Sequence, residues 1–189
     1  YSASQAQNRP VQATVVFVPP YTLSLADYAA PTSNKLQLSL LLRDAASPLR
    51  RVKLRFVIEG AGVTIRTSQA YLNSSRPIPI NLVPNVPTTL SGMNAAFREY
   101  FNPTNLEVLG LDRNQFVRSK SLPSGIYRWR IQILDYNLLV PLNNAQLSTT
   151  TLWMVLAHPP IVNLPTQNQK LRATNYGLQN VIFQWFNRS

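Results

Sequence analysis

The chain has 189 residues, of which 45% are hydrophobic and 10% aromatic, and its 18 basic against 7 acidic side chains give a formal charge of +11. These values predict a globular chain with a sizeable core, exclude a disordered polymer and favour acidic partners. The lack of cysteine excludes disulfide and thiolate chemistry, and one histidine, His158, leaves too little for a zinc site.

The first part of the chain predicts a series of β-strands. The apolar run VQATVVFV, Val11 to Val18, ends at two prolines, which cannot donate to a strand ladder. The segments KLQLSLLLRD and RVKLRFVIE alternate apolar and polar residues with a period of two, as half-buried strands do. In the second segment the basic residues Arg51, Lys53 and Arg55 lie on the polar face.

The middle of the chain predicts turns, one sheet edge and one helix. Glycines in GAGVTIRTS suit a turn or bulge, and the prolines of RPIPINL restrict that segment, with Ile78 and Ile80, to a sheet edge. Aromatic residues spaced by three and four predict a short helix from Met93 to Phe101, ending before Pro103. NLEVLGL predicts a short strand, and DRNQFVRSKS a loop or one helical turn.

The segment LPSGIYRWRIQILDYN is the best-patterned strand. Tyr127 and Trp129 begin its apolar face, whereas Arg128 and Arg130 lie on the opposite face. Leu122, Gly125 and Tyr127 match the L-x-x-G-x-Y entry to a late strand of immunoglobulin-like sandwiches, in which the tyrosine hydroxyl ties down the preceding corner. A last strand is predicted over Leu147 to Ala157.

The composition changes at His158. Paired prolines, a short apolar run and a polar loop precede VIFQWF, in which Val181, Phe183 and Trp185 alternate. This pattern is typical of the first two strands of a fibronectin type III-like sandwich. We therefore predict an all-β chain: residues 1–157 form an immunoglobulin-like β-sandwich with one short helix, and residues 158–189 form a linker and a partial fibronectin type III-like domain.

No catalytic constellation emerges from the sequence. His158 stands beside Pro159 at the predicted domain junction, the carboxylates are scattered, and GAG lacks the lysine and helix of a phosphate loop. We predict a protein that is not an enzyme and that has no metal site and no cofactor. The chain starts at Tyr1 and has no apolar run long enough to cross a bilayer, which indicates a processed protein or an excised piece.

The arginines opposite the core faces allow two interpretations. They can simply keep an exposed sheet face hydrated. If the two strands lie in one sheet, however, five cations would share a face and attract phosphate, sulfate or carboxylate groups. These five are Arg51, Lys53, Arg55, Arg128 and Arg130. Nucleic-acid binding would also need exposed aromatic residues beside this row, but Phe56, Tyr127 and Trp129 alternate onto the core side, which argues against nucleic acid.

The order of four segments resembles a known family. These are VPPYTLSLADYAAPTSNKLQLSLLLRD, TLSGMNAAFREYFNPTNLEVLG, LPSGIYRWRIQILDYN and HPPIVNLP followed by VIFQWFNRS. Together they resemble the TANFOR-type N-terminal region of large secreted or surface proteins of the Bacteroidota. The resemblance implies a signal peptide removed ahead of Tyr1, export to the periplasm, outer-membrane surface or extracellular space, and fibronectin-like repeats that follow. It implies no catalytic residue.

The predicted function is that of a non-catalytic structural or protein-interaction module of an exported protein. Its partners would be other proteins of an envelope or surface assembly, of the type IX secretion or gliding type. The contact would be strand addition at the edge near Ile78 and Ile80 or at the strand of Phe183 and Trp185. The alternative is a module that binds a polyanion, such as acidic polysaccharide, lipopolysaccharide phosphate or nucleic acid, with the basic face. A carbohydrate-active enzyme or its binding module would need exposed aromatic residues.

Overall fold

The computed structural model describes residues 9–44, 48–144 and 148–154 in full, and the backbone of two further strands at 161–164 and 184–186. It divides into two compact units, Tyr1–Val155 and Leu156–Ser189. Within the described residues most regular structure is β-strand and the helices are few and short, as the alternating sequence predicted. No helix of this part is long and apolar enough to cross a membrane.

The first unit contains nine described strands and four α-helices. The strands are β1 (Val11–Phe17), β2 (Leu36–Leu42), β3 (Arg50–Gly60), β4 (Val63–Thr67), β5 (Ile80–Leu82), β6 (Thr88–Leu90), β7 (Leu106–Leu109), β8 (Gly125–Asp135) and β9 (Thr149–Met154). The helices are α1 (Leu25–Ala29), α2 (Gln69–Asn73), α3 (Ala95–Glu99) and α4 (Arg113–Ser119), with a 3₁₀ turn at Pro103–Asn105.

Two antiparallel sheets build this unit. The smaller sheet has the order β1-β2-β6, and the larger sheet has the order β7-β4-β3-β8-β9, with β5 added beside β3. Both contribute to one hydrophobic cluster, which includes the fully buried Leu38 and Leu40 from β2 and Ile131 and Ile133 from β8. The two-residue alternation therefore identified the core faces of these strands correctly.

The strand β3 lies in the middle of the larger sheet, and side chains accept two of its backbone hydrogen bonds. Along one side it pairs with β8, and along the other it pairs with β5 at its start and β4 at its end. Between β5 and β4 the Leu54 N–H donates to Tyr100 Oη (3.1 Å) and the Phe56 N–H donates to Thr67 Oγ1 (2.9 Å). These two bonds satisfy buried backbone donors that would otherwise have no partner.

The helices differ most from the predictions. The helix predicted over Met93 to Phe101 is confined to α3, because the Asn94 side chain accepts from the Phe97 N–H (3.1 Å) and caps its start. The segment predicted as a loop or one turn forms α4, which the Asp112 side chain caps by accepting from the Gln115 N–H (2.7 Å). The described residues hold four short α-helices, so the prediction of a single helix was wrong.

The second unit contributes two short antiparallel strands, β10 (Ile161–Leu164) and β11 (Gln184–Phe186), whose register shifts between Val162 and Leu164. Trp185 lies in β11, where its backbone pairs with Val162. Phe183, the other residue of the predicted contact strand, lies outside the described residues.

Candidate functional site

The predicted basic residues lie on one face of one sheet. In the antiparallel pair of β3 and β8, Arg55 lies opposite Gln132, Val57 opposite Arg130 and Glu59 opposite Arg128. Directly opposed residues point to the same side of a sheet. Arg51, Lys53, Arg55, Arg128 and Arg130 therefore share the side of the larger sheet that faces away from the core, which we call the outer face.

Lys53 is the exception to an exposed basic row, because its side chain is buried, with 4% exposure. Its Nζ donates to the Leu72 carbonyl oxygen (2.7 Å) and the Ser74 carbonyl oxygen (3.1 Å) at the end of α2. The ammonium also lies 4.3 Å from the centre of the Tyr136 ring. Burial, with a smaller contribution from the charge of Arg51, lowers the pKa of Lys53.

The prediction that Lys53 belongs to an open binding face is therefore wrong. Sequence alternation shows on which side of a strand a residue lies but not what covers that side. Here α2 and the segment that follows it cover the part of the outer face around Lys53. The Tyr136 hydroxyl donates to the Pro77 carbonyl oxygen (3.0 Å), and Arg55 Nη2 donates to Gln69 Oε1 (3.0 Å).

The predicted contact edge around RPIPINL is short. Ile80 begins β5, pairs with Val52 of β3 and has a buried side chain, with 4% exposure. Ile78 precedes the strand and is partly exposed, at 45%. Because β5 contains only three residues and Ile80 faces the core, this edge offers a partner a short ladder and one apolar side chain.

The centre of the outer face carries balanced charges. Arg130 Nη2 lies 3.3 Å from Glu59 Oε2, and Arg66 Nε lies 2.7 Å from Glu107 Oε2. The hydrogen bond from Arg66 is the main reason why the pKa of Glu107 is lowered. These groups line a shallow depression of about 530 Å³, which also includes Arg55. Two arginines of the depression are thus already paired with carboxylates.

Arg128 differs from its neighbours. It is exposed, and among the described residues it has no ion pair and no hydrogen-bonded side chain. Its cross-strand neighbours on the outer face are Glu59 of β3 and Thr151 of β9. Of the five predicted cations, Arg128 is therefore the one best placed to meet a partner.

An exposed apolar pair lies next to Arg128. Trp153 of β9 is 71% exposed and lies directly opposite Ile126 of β8, which is 64% exposed. Both side chains point to the outer face. The next pair on this face, two residues further along each strand, is Arg128 and Thr151. The expectation that no exposed aromatic side chain accompanies the basic row is wrong at Trp153. Alternation could have identified it, since the flanking Leu152 and Met154 are buried.

The strand β9 lies at the edge of the larger sheet, and in the described part of the chain β8 is the one strand that pairs with it. The Ile131 N–H of β8 donates to the Ser148 carbonyl oxygen (3.1 Å), so the backbone groups of Ser148 face β8. Along an antiparallel strand, the backbone groups of successive residues point alternately to one neighbour and to the other. The backbone groups of Thr150 and Leu152, like those of Ser148, therefore face β8. The backbone groups of Thr151 and Trp153 consequently point towards the open edge.

The residues of the predicted corner motif are grouped at the start of β8. The Tyr127 hydroxyl donates to the Pro123 carbonyl oxygen (3.0 Å), and burial raises the pKa of this buried tyrosine. Leu122 is buried, and its N–H donates to the Leu23 carbonyl oxygen (3.0 Å). A Cβ atom on Gly125 would lie 2.9 Å from the Ala61 Cβ, so the close approach of these two segments of the backbone requires glycine.

Binding of a metal ion would need a cluster of ligand side chains. Within residues 9–44, 48–144 and 148–154, no group of three or more His, Cys, Asp or Glu side chains is arranged to hold a metal ion. The absence of a cofactor stays a prediction.

Comparisons with known proteins add a distant similarity. No protein-family model matches the chain, and no curated protein matches it. A solved structure of a FixG-related protein from Vibrio parahaemolyticus is similar with a TM-score of 0.37 and 12% sequence identity. The similarity covers 78% of this chain and 98% of the other.

Proposed function

We propose that the chain is a non-catalytic protein-interaction module that binds an extended segment of another protein at the open edge of β9. One observation carries this proposal: the backbone groups of Thr151 and Trp153, which have no strand partner among the described residues, lie beside the exposed side chains of Trp153 and Ile126. Strand addition uses the backbone groups of an edge for affinity and nearby side-chain surfaces for specificity.

The exposed side chains favour a protein partner. Tryptophan is enriched among residues that dominate binding energy in protein interfaces, because it buries a large apolar area. Trp153 and Ile126 form an exposed apolar pair beside the edge of the larger sheet. Exposed edge strands are normally protected by charges, prolines or bulges. The segment TTTLWM of β9 carries no charged residue and no proline, so it lacks two of these protections.

The wider setting is part of the same proposal. The first unit is an immunoglobulin-like sandwich, which the Tyr127–Pro123 hydrogen bond at the entry to β8 supports. The unit belongs to the TANFOR-type N-terminal region of an exported Bacteroidota protein, and fibronectin type III-like domains follow it. It acts at the periplasm, outer-membrane surface or cell exterior, where its partners are other proteins of an envelope or surface assembly.

Polyanion binding is the second candidate. The observation in its favour is that Arg51, Arg55, Arg128 and Arg130 share the outer face. Against it, Lys53 is buried, Arg130 is paired with Glu59, and Arg55 is hydrogen-bonded to Gln69. These contacts leave less cationic charge for a phosphate or sulfate chain than the count of residues implies.

The test is a capture experiment with envelope extract at low and high salt, using the wild-type chain and the variants Thr151→Pro and Thr151→Val. Proline removes the outward N–H of residue 151 without touching the bonds to β8, whereas valine keeps that N–H. We expect one discrete protein that is retained at high salt, lost with Thr151→Pro and kept with Thr151→Val. The proposal would be rejected if Thr151→Pro captured the same protein as the wild-type chain, or if only polyanions that salt releases were captured.

A further inference from the structure

We infer that the segment bound at β9 carries an acidic side chain two residues from an apolar one. This inference rests on the proposed function and names the chemistry of its partner. The apolar side chain would pack on Trp153 and Ile126, and the acidic side chain would meet Arg128. A spacing of two residues follows from the period of a strand, in which alternate side chains point to the same face.

Side chains on the outer face form rows that run across the strands, and these rows define where the apolar and acidic side chains of the partner would lie. One row consists of Ile126 on β8 and Trp153 on β9, and the next row consists of Arg128 and Thr151. A strand added beside β9 would extend each row by one side chain. Its side chain in the first row would contact Trp153, and its side chain in the second row would lie beside Thr151.

The distances allow a charge pair across Thr151. Strands in a sheet are about 4.8 Å apart, so the added strand would lie roughly 9.6 Å from β8. Threonine is short, and the arginine and glutamate side chains are both long enough to meet above it. Arg128 is exposed and has no ion-pair partner among the described residues, so it need not give up an existing bond.

The charge near the edge also favours an acidic segment. The strand β9 carries no acidic residue, and the closest carboxylate along these rows is Glu59 on β3, two strands away and already paired with Arg130. Along these rows Arg128 is the charged side chain nearest to the edge, and this favours an acidic segment. A segment with lysine in the second row would place like charges together.

The same charges disfavour a second copy of this chain as the occupant. Pairing of two β9 edges would bring Arg128 of one copy to roughly three strand spacings, about 14 Å, from Arg128 of the other. No acidic residue on β9 would offset this repulsion. An acidic segment of a different protein gains attraction where a second copy meets repulsion.

A display selection tests the inference. Phage displaying randomised seven-residue segments are selected on the full 189-residue chain and counted again on Thr151→Pro, Thr151→Val and Arg128→Glu. We expect enriched segments with Asp or Glu two positions from an aromatic or aliphatic residue. These should be lost with Thr151→Pro, kept with Thr151→Val and replaced by Lys- or Arg-containing segments with Arg128→Glu.

A defined peptide pair measures the size of the effect. The peptide Thr-Glu-Thr-Phe-Thr-Glu-Thr has the expected spacing in both strand directions, and its control carries lysine in place of both glutamates. Fluorescence anisotropy with the wild-type chain should show roughly fivefold tighter binding of the acidic peptide, as expected for exposed charge pairs, with a smaller difference at high salt.

The outcomes separate the two proposals. If selected segments depend on Thr151→Pro but show no preference for acidic residues, the inference about charge is overturned and strand addition stands. If no segment is sensitive to Thr151→Pro, both the inference and the proposed function are overturned. Circular dichroism of each variant verifies that the β-structure is retained before binding is compared.

Discussion

Lys53 Nζ donates a hydrogen bond of 2.7 Å to the Leu72 carbonyl oxygen, so a strand residue caps the end of a helix that lies over it. Cations near the last carbonyl groups of a helix are stabilising, and here the bond also holds the segment that covers this part of the outer face. The basic residue with the clearest role in the described structure is thus a structural one.

Replacing Lys53 should destabilise the fold. Lys53→Met removes the donor to the Leu72 and Ser74 carbonyl oxygens, so we expect a loss of about 1–3 kcal/mol in the free energy of unfolding. The matched control is Arg128→Met, which removes an exposed cation and should change stability by less than about 0.5 kcal/mol. Urea unfolding measures both. Equal effects of the two substitutions would contradict the assigned role.

Two buried tyrosines should respond oppositely to loss of their hydroxyl groups. Tyr100→Phe leaves the buried Leu54 N–H without an acceptor and should cost about 1–3 kcal/mol. The Tyr71 hydroxyl has no hydrogen-bond partner within the described structure, so Tyr71→Phe should be neutral or stabilising by up to about 1 kcal/mol. Thermal unfolding of both variants distinguishes them, and a larger loss for Tyr71→Phe would refute the hydrogen-bond assignment.

Alkaline pH should unfold the chain through its buried tyrosines. Burial raises the pKa of both Tyr28 and Tyr71 from 10.0 to about 12. The folded state then holds protons that the unfolded state releases, so this stability is complete below pH 10 and is lost as pH rises to about 12. Absorbance of tyrosinate against pH should show delayed, cooperative ionisation. Independent titration of all tyrosines near pH 10 would contradict the burial.

Trp153 should matter for binding and not for folding. Trp153→Thr replaces an exposed side chain, so we expect a change in stability of less than about 0.5 kcal/mol and loss of the bound partner. Trp129, with 1% exposure, provides the contrast, because Trp129→Ala should cost about 3–5 kcal/mol. Urea unfolding and capture are measured on the same preparations. A destabilised Trp153→Thr chain would show that this side chain supports the fold.

The sequence predicted the long strands well, because period-two alternation reflects which side of a strand is buried. In β2 and β8 the residues predicted to face the core are buried. The sequence did not predict α2, whose five residues are too few for a helical period to be recognised. It therefore missed what covers Lys53, a contact that depends on tertiary packing.

The edge of β9 was not among the contact edges that the sequence predicted. Prolines indicated the segment of Ile78 and Ile80, since they restrict a strand to an edge. The position of β9 in the sheet order depends on which strands pair, and no local pattern in TTTLWM reveals that order. The exposure of Trp153 was missed, although its alternation with Leu152 and Met154 could have indicated it, whereas its pairing with Ile126 required the register.

The bond between Leu54 and Tyr100 joins a central strand to a residue 46 positions away in the chain. The Leu54 amide has its acceptor on Tyr100, the residue directly after α3, so its proton becomes accessible to water when that helix lifts away. Its rate of exchange with deuterated solvent would therefore report the opening of α3, although the amide itself lies in the middle of the sheet.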